Sequence, residues 1–259
     1  MPKFAANLSL LFTELPLIER FAAAAKQGFK QVEIQFPYEL PIEAIRSQLE
    51  QHNLQLILIN VPAGDWAGGD RGIACQPDRK TEFRAGVVLA LEYAQALQVP
   101  QVNCLSGIAP HTVAYTEIED TFLENIAFAA DMFEKAGVKV LMEAINTRDI
   151  PGFWLNNSRQ AFEIIKKLDK LNVAFQYDVY HMQIMEGDLI NTLRTNLEQI
   201  AHIQIADVPG RHEPGTGEIN FPNLFKALDA MGYSGFVSLE YNPVGQTIDG
   251  LRWLSQTDQ

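Results

Sequence analysis

The sequence predicts a single closed (β/α)8 TIM barrel over residues 1–259, and three observations predict it. Short apolar, β-branched or aromatic runs alternate with longer amphipathic stretches from one end of the chain to the other. The alternation yields eight β/α units of about 32 residues, the size of one βαβ step. No composition break, Ser/Gly linker or low-complexity tract divides them, which points to one closed barrel. An open doubly wound sheet usually carries a Gly-rich turn after its first strand. Here the first strand runs into AANLSLLF instead.

The elements follow in order. Residues 4–8 predict a strand and 16–27 a helix, which Gly28 ends because glycine closes a last turn in the left-handed conformation at low cost. A strand at 32–36 precedes a helix at 42–52, and one at 56–60 precedes a helix at 82–97. The strand at 101–105 leads to a long helix at 117–135, opened by the capping-box pair Thr116 and Glu119 and closed by Gly137. Strand 138–143 precedes helix 159–168, and strand 173–178 precedes helix 188–197. Strand 202–206 precedes helix 222–231, with Asn220 as N-cap, Pro222 in the first turn and Gly232 at the end. Strand 236–241 and a short helix near 247–254 complete the series.

Hydrophobic residues make up 47% of the chain, enough for a large core, and 20% are charged. Asp and Glu number 32 against 20 Lys and Arg, a formal charge of −12. Such a surface repels phosphate backbones and anionic lipids, so neither nucleic acid nor membrane is an expected partner. An anionic small substrate would need a local positive centre to enter this field. The two cysteines, Cys75 and Cys104, are too far apart for a CxxC motif and too few for a disulfide scaffold, which suits a reducing compartment. The first residues lack the pattern of a signal peptide, and no apolar run approaches the ~18 residues needed to span a bilayer. A soluble, cytoplasmic protein is expected.

Polar residues collect where the strands end, the side on which parallel barrels place chemistry. Asn7 lies near the end of the first strand, Glu33 and Gln35 on the second, Asn60 at the end of the third, and Asn103 and Ser106 around the fourth. An Asn at a strand end often only marks the start of a loop. The run Glu143, Asp178, Gln204, Glu240 is harder to dismiss, because four consecutive strands each deliver an oxygen donor to the same end. Neighbouring strands lie only ~4.8 Å apart, so these groups can converge. Carboxylates that close repel one another unless a cation sits between them. All-oxygen donors favour Mg²⁺ or Mn²⁺ over zinc. A salt-bridge ring would need Lys or Arg among the other strand ends, and none is present there.

His181, three residues beyond Asp178, is a further candidate at this rim. Arg211, in the Gly/Pro-rich loop after the seventh strand, is placed to clamp a substrate carboxylate. His212 is as readily a surface residue as a site residue, His202 reads as structural, and His52 and His111 lie outside the candidate site. The Gly-rich loop 62–72 lacks the Lys-Ser/Thr ending of a P-loop and reads as a mobile lid or subunit contact with Trp66 as anchor.

Four segments carry a more specific signal: PAGDWAGGDRGIACQPDR (62–79), DIPGF (149–153), QYDVYHMQIMEGDL (176–189) and QIADVPGRHEPGTGEIN (204–220). Together with FAANLSLLF near the start and LEYNP near the end, they resemble the hydroxypyruvate isomerases of the xylose-isomerase-like barrel superfamily. The resemblance implies a TIM barrel that interconverts hydroxypyruvate and tartronate semialdehyde. It implies Glu143, Asp178, Gln204 and Glu240 as metal ligands, with Glu143 and Glu240 as the acid/base pair. Related ketose epimerases usually carry His where this chain has Gln204, which tilts the reading away from sugar epimerisation. Close relatives act on 2-oxo-tetronates, and the motifs do not separate the two substrates.

The chemistry suits such a site. Moving a carbonyl to the adjacent carbon removes an α proton through an enediolate, whose charge a hard cation stabilises and whose proton a carboxylate carries. His181, Arg211, Asn7 and Asn60 are the candidate substrate-binding residues, and no organic cofactor is required. Homo-oligomer formation is left open. Two rivals belong to other classes. A multi-zinc DNA-repair endonuclease on this fold would want a basic face and many His ligands, against −12 and five His here. A non-catalytic barrel would bind a sugar acid without exchanging its α proton.

Overall fold

In the computed structural model, which describes residues 2–256, the strands close into one barrel in chain order. They are β1 (Lys3–Asn7), β2 (Gln31–Ile34), β3 (Gln55–Asn60), β4 (Gln101–Asn103), β5 (Lys139–Glu143), β6 (Val173–Asp178), β7 (Ile200–Ile205) and β8 (Phe236–Leu239). The helices are α1 (Leu17–Lys26), α2 (Ile42–His52), α3 (Lys80–Leu97), α4 (Tyr115–Glu134), α5 (Ser158–Leu168), α6 (Val179–Met185), α7 (Leu189–Asn196), α8 (Phe221–Ala230) and α9 (Thr247–Gly250). Among the described residues no helix is long and apolar enough to cross a membrane.

The strands are buried on both faces, as parallel barrel strands must be; β6 is buried along its whole length. Each helix lays an apolar stripe inward. On α4 the stripe is Ile118, Phe122, Ile126, Ala129 and Phe133, spaced three or four apart so that all fall on one face. Burying each such large side chain contributes about 1.5–3 kcal/mol. Cys75 and Cys104 are free and buried. Burial pushes the Cys75 thiol up to about 12, and the Cys104 thiol is raised for the same reason.

The chain divides into two compact units, Met1–Ile57 with Tyr177–Gln259, and Leu58–Gln176. Within the first, β1 lies between β8 and β2, with Ala6 opposite Leu239 and Val32, and Asn7 opposite Glu33. β7 pairs with β8 through Ile203 opposite Val237 and Gln204 opposite Ser238. Within the second unit, Asn60 faces Asn103 across β3 and β4, and Glu143 faces Gln176 across β5 and β6.

The second unit also knits three loops together. Gly72 and Ser106 form one antiparallel bridge, and Ile108 and Phe153 another. Trp154 N donates to Gly107 O at 2.9 Å and Ala109 N to Gly152 O at 2.9 Å. Gly107 has φ +92°, and a Cβ there would lie 2.1 Å from the Gly72 carbonyl oxygen. In loop 62–72, Trp66 is partly exposed and carries the Arg71 guanidinium 4.4 Å from its ring centre.

The structure departs from the sequence expectations locally. The capping box does not form: α4 starts at Tyr115 behind Ala114, which makes no side-chain cap, and Glu119 instead pairs with Lys167 at 2.6 Å. Helix α6 was not expected, because Val179, Tyr180, His181 and Met182 are all buried and show no amphipathic period. Strands β4 and β8 stop at Asn103 and Leu239 rather than at 105 and 241. The final helix ends at Gly250, followed by a 3-10 turn over Arg252–Gln256. Asn220 caps α8 as expected, accepting from Asn223 N at 3.1 Å.

Candidate active site

In the first unit, the strand ends and the loops that follow them bring seven polar side chains into one network. Glu240, next after β8, is buried at 3% exposure. Its Oε1 accepts from Asn7 Nδ2 at 3.0 Å, Gln35 Nε2 at 2.9 Å and Gln204 Nε2 at 3.0 Å. Its Oε2 pairs with the Arg211 guanidinium, which also lies 3.5 Å from Asp178 Oδ2. Asp178 ends β6 and caps α6, its Oδ1 accepting from Tyr180 N at 2.8 Å. That cap places His181 one turn on, with Nε2 3.4 Å from Asp178 Oδ2.

Below this rim sits Glu33. Its Oε1 accepts from Asn7 Nδ2 at 2.7 Å and Gln204 Nε2 at 2.8 Å, and its Oε2 meets His202 Nε2 at 2.8 Å. Asn7 and Gln204 therefore each bridge two carboxylates. The β1/β2 register, which sets Asn7 opposite Glu33, makes the first bridge possible.

Burial and neighbouring charge shift the titrating groups. Burial pushes the Glu240 carboxyl up to about 8; Arg211 pulls it down, while Asp178 and Glu33 push it further up. Asp178 is raised by burial against the opposing pull of Arg211 and of backbone N–H groups. Burial, then Arg211, lowers His181 well below its ordinary range, so its contact with Asp178 is polar rather than ionic. Burial works to raise Glu33 as well, but His202 and hydrogen bonds from Gln204 and Ser238 hold it below the usual carboxylate value.

The loop that carries Arg211 is built around Asp207. This fully buried carboxylate accepts from four backbone N–H groups: Val208 at 2.9 Å and Ile219 at 3.0 Å on Oδ1, Gly215 at 2.9 Å and Gly217 at 2.8 Å on Oδ2. Arg211 itself adopts φ +58°, its N donating to Asp207 O at 3.1 Å and its O accepting from Asn242 N at 2.8 Å. Its guanidinium lies 5.3 Å from the Tyr180 ring centre, a cation–π contact that fixes its approach. His212 turns away, Nδ1 to Asn242 O at 2.7 Å.

In the second unit, Glu143 ends β5 and is buried at 4% exposure. Its Oε2 accepts from Asn103 Nδ2 at 2.8 Å and Gln176 Nε2 at 3.0 Å. Asn60 ends β3 opposite Asn103 and is buried too. Of the residues singled out in the sequence, the structure thus joins Asn7, Asp178, His181, Gln204, Arg211 and Glu240, while Asn60 and Glu143 belong to the second unit.

Two findings refine the sequence argument. No cation stands among the strand ends, but Arg211 reaches Glu240 and Asp178 from a loop, so the carboxylates are not without a positive partner. The donors also include an imidazole, with Asp178 and His181 both buried and suited to a metal ion. The fit of a cation rests on Asp178 Oδ2, a buried carboxylate oxygen that accepts no hydrogen bond from the described residues. Glu33 is the residue the motif reading passed over. Its position on β2 was visible, but its role appears only once the register sets it beneath Asn7.

A sequence model described as a xylose isomerase-like TIM barrel matches residues 21–257. The hydroxypyruvate isomerase of Escherichia coli (strain K12) is 48% identical to this chain over 254 residues, covering 98% of each. The 2-oxo-tetronate isomerase of Cupriavidus necator is 44% identical, again over 98% of each chain. The crystal structure of a Brucella melitensis protein described as an AP endonuclease, family 2, superposes with a TM-score of 0.96 at 45% identity over 99% of both chains.

Proposed function

The chain belongs to the xylose isomerase-like TIM barrel family, and from that premise we propose that it is an isomerase interconverting hydroxypyruvate and tartronate semialdehyde. The observation that carries the reading is Glu240, a buried carboxylate gripped by three amides on one oxygen and by Arg211 on the other. The full-length likeness to an E. coli enzyme of that name supports the substrate. A second reading, 2-oxo-tetronate isomerisation on the same site, is favoured by the comparable likeness to the Cupriavidus necator protein. DNA cleavage, which the description of the Brucella protein raises, has the formal charge of −12 against it.

The roles follow from chemistry. Arg211 receives the substrate carboxylate, its planar fork matching two oxygens. Asn60 offers an amide to the substrate's oxygens, Asn7 lines the site with its amide engaged by Glu33 and Glu240, and His181, neutral, can donate or accept beside them. Glu143 and Glu240 share the proton traffic: one removes a proton from the hydroxymethyl carbon and returns it to the neighbouring carbon, while the hydroxyl proton passes from the first carbon's oxygen to the second's, so that carbonyl and hydroxyl change places. Glu143, Asp178, Gln204 and Glu240 would hold a Mg²⁺ or Mn²⁺ ion, with His181 a further donor. An ion held there would supply positive charge that stabilises the enediolate. Residues 1–259 would work as one barrel domain, in the cytoplasm, as two free and buried cysteines suit.

Two measurements test this. EDTA abolishes conversion of hydroxypyruvate followed by NMR, and Mg²⁺ or Mn²⁺ restores it; indifference to the chelator ends the cation reading. Arg211→Ala raises KM for hydroxypyruvate by about 10- to 100-fold, the worth of a charged hydrogen bond of about 1.5–3 kcal/mol. An equal loss on an uncharged ketose contradicts the clamp.

A further inference from the structure

We propose that Glu33 is a positioning residue that sets which way the Gln204 side-chain amide faces. The inference rests on Gln204 as a cation ligand, and it concerns the group behind that ligand.

Gln204 Nε2 lies 2.8 Å from Glu33 Oε1 and 3.0 Å from Glu240 Oε1. Both of these oxygens also accept from Asn7 Nδ2, whose orientation Ser9 N fixes by donating to Asn7 Oδ1, so each stands as an acceptor. Were the amide turned over, its oxygen would stand at those distances from two more oxygens, with no proton between them. Glu33 and Glu240 together therefore dictate that the NH₂ faces them and that the carbonyl oxygen faces away. Only that oxygen can ligate, because an amide nitrogen has no free lone pair. Glu240 alone would engage one N–H; Glu33 takes up the second and closes the choice.

Glu33 is itself held. His202 Nε2 meets its other oxygen at 2.8 Å, in a pair that is buried on both sides. That contact turns Oε1 toward the amides, where Asn7 Nδ2 also reaches it at 2.7 Å. The Asn7 amide is fixed the same way, with its own oxygen accepting from Ser9 N at 2.9 Å. The chain His202–Glu33–Gln204 thus runs from the barrel interior to a ligand atom, as partners behind metal ligands commonly do.

The test titrates Mn²⁺ calorimetrically into the full chain and its Glu33→Ala and Glu33→Gln variants, each alone and combined with Gln204→Ala. Glu33→Ala weakens Mn²⁺ about 10- to 100-fold. Glu33→Gln recovers most of that loss, since its oxygen can still accept both amides while its NH₂ turns to His202. Added to Gln204→Ala, Glu33→Ala costs nothing more, because the two act through one group. Equal weakening in both backgrounds, or unchanged affinity in a folded Glu33→Ala, overturns the proposal. A metal-free readout separates the two ideas: the Gln204 side-chain NH₂ signals in ¹H–¹⁵N spectra exchange slowly in the wild type and in Glu33→Gln, and rapidly in Glu33→Ala. If the wild type binds no Mn²⁺ yet shows this pattern, the cation reading falls and the orientation of the amide stands. If those signals exchange rapidly in the wild type, the inference falls.

Discussion

Glu240→Gln lowers kcat for hydroxypyruvate by about 10²- to 10⁴-fold, the usual weight of one positioned acid/base group, while the barrel stays folded. The substitution keeps the shape of the side chain and removes its capacity to take a proton. Oε1 can still accept from Asn7, Gln35 and Gln204, since one end of the new amide is an oxygen. The other end then presents N–H to Arg211, donor against donor, so the ion pair is lost as well. Conversion followed by ¹H NMR gives the rate, and far-UV circular dichroism with a melting curve shows the fold. Turnover near that of the wild type removes Glu240 from the proton traffic; an unfolded variant would instead assign it a structural role.

Gly107→Ala destabilises the protein by about 2–5 kcal/mol, combining about 1–2 for the left-handed backbone with about 1–3 for overpacking. At φ +92° any Cβ is strained, and here it would also meet the Gly72 carbonyl oxygen 2.1 Å away, a backbone atom that no rotamer change can move. The bridge between Gly72 and Ser106 and the hydrogen bond from Trp154 N to Gly107 O would both have to give. The Tm falls by about 10 °C on the usual scaling for chains of this length. Gly107 belongs to the second compact unit. If residues 1–259 unfold as one domain, circular dichroism and tryptophan fluorescence shift together in urea. Two separated transitions would make the units independent, and an unshifted midpoint would mean that the loop layer rearranges freely.

Much of the fold could be read without coordinates because parallel barrel strands are apolar on both faces and their helices are not. Gly28, Gly137 and Gly232 marked helix ends, and each lies in the positive-φ region just beyond one. The reading failed where local chemistry had a tertiary competitor. Glu119 was free to cap α4, but Lys167 on α5 claims it. Helix α6 has no polar face to reveal its period, because all of its first turn is buried. Asp178, Gln204 and Glu240 could be found by where strands end, as could Glu143 in the second unit. The partnership of Arg211 with Glu240 could not, since a loop residue's reach depends on how its backbone turns. Nor could the bridging of Glu33 and Glu240 by Asn7 and Gln204, which needs the register of separate strands.

The Asp207 staple divides the loop after β7 into stretches that tolerate change unequally. Its four amide contacts fix both flanks of the loop, at Val208 and again at Gly215, Gly217 and Ile219. An added residue between Asp207 and His212 would rotate the guanidinium out of register with its partners. Thr216 is exposed but lies between the anchored amides of Gly215 and Gly217, so its side chain can change while the backbone there cannot lengthen without breaking one of them. Natural variants of this barrel should therefore keep the chain length between Asp207 and Ile219 and differ in the exposed side chains along it, where substrate size could be re-tuned without surrendering the grip on a carboxylate.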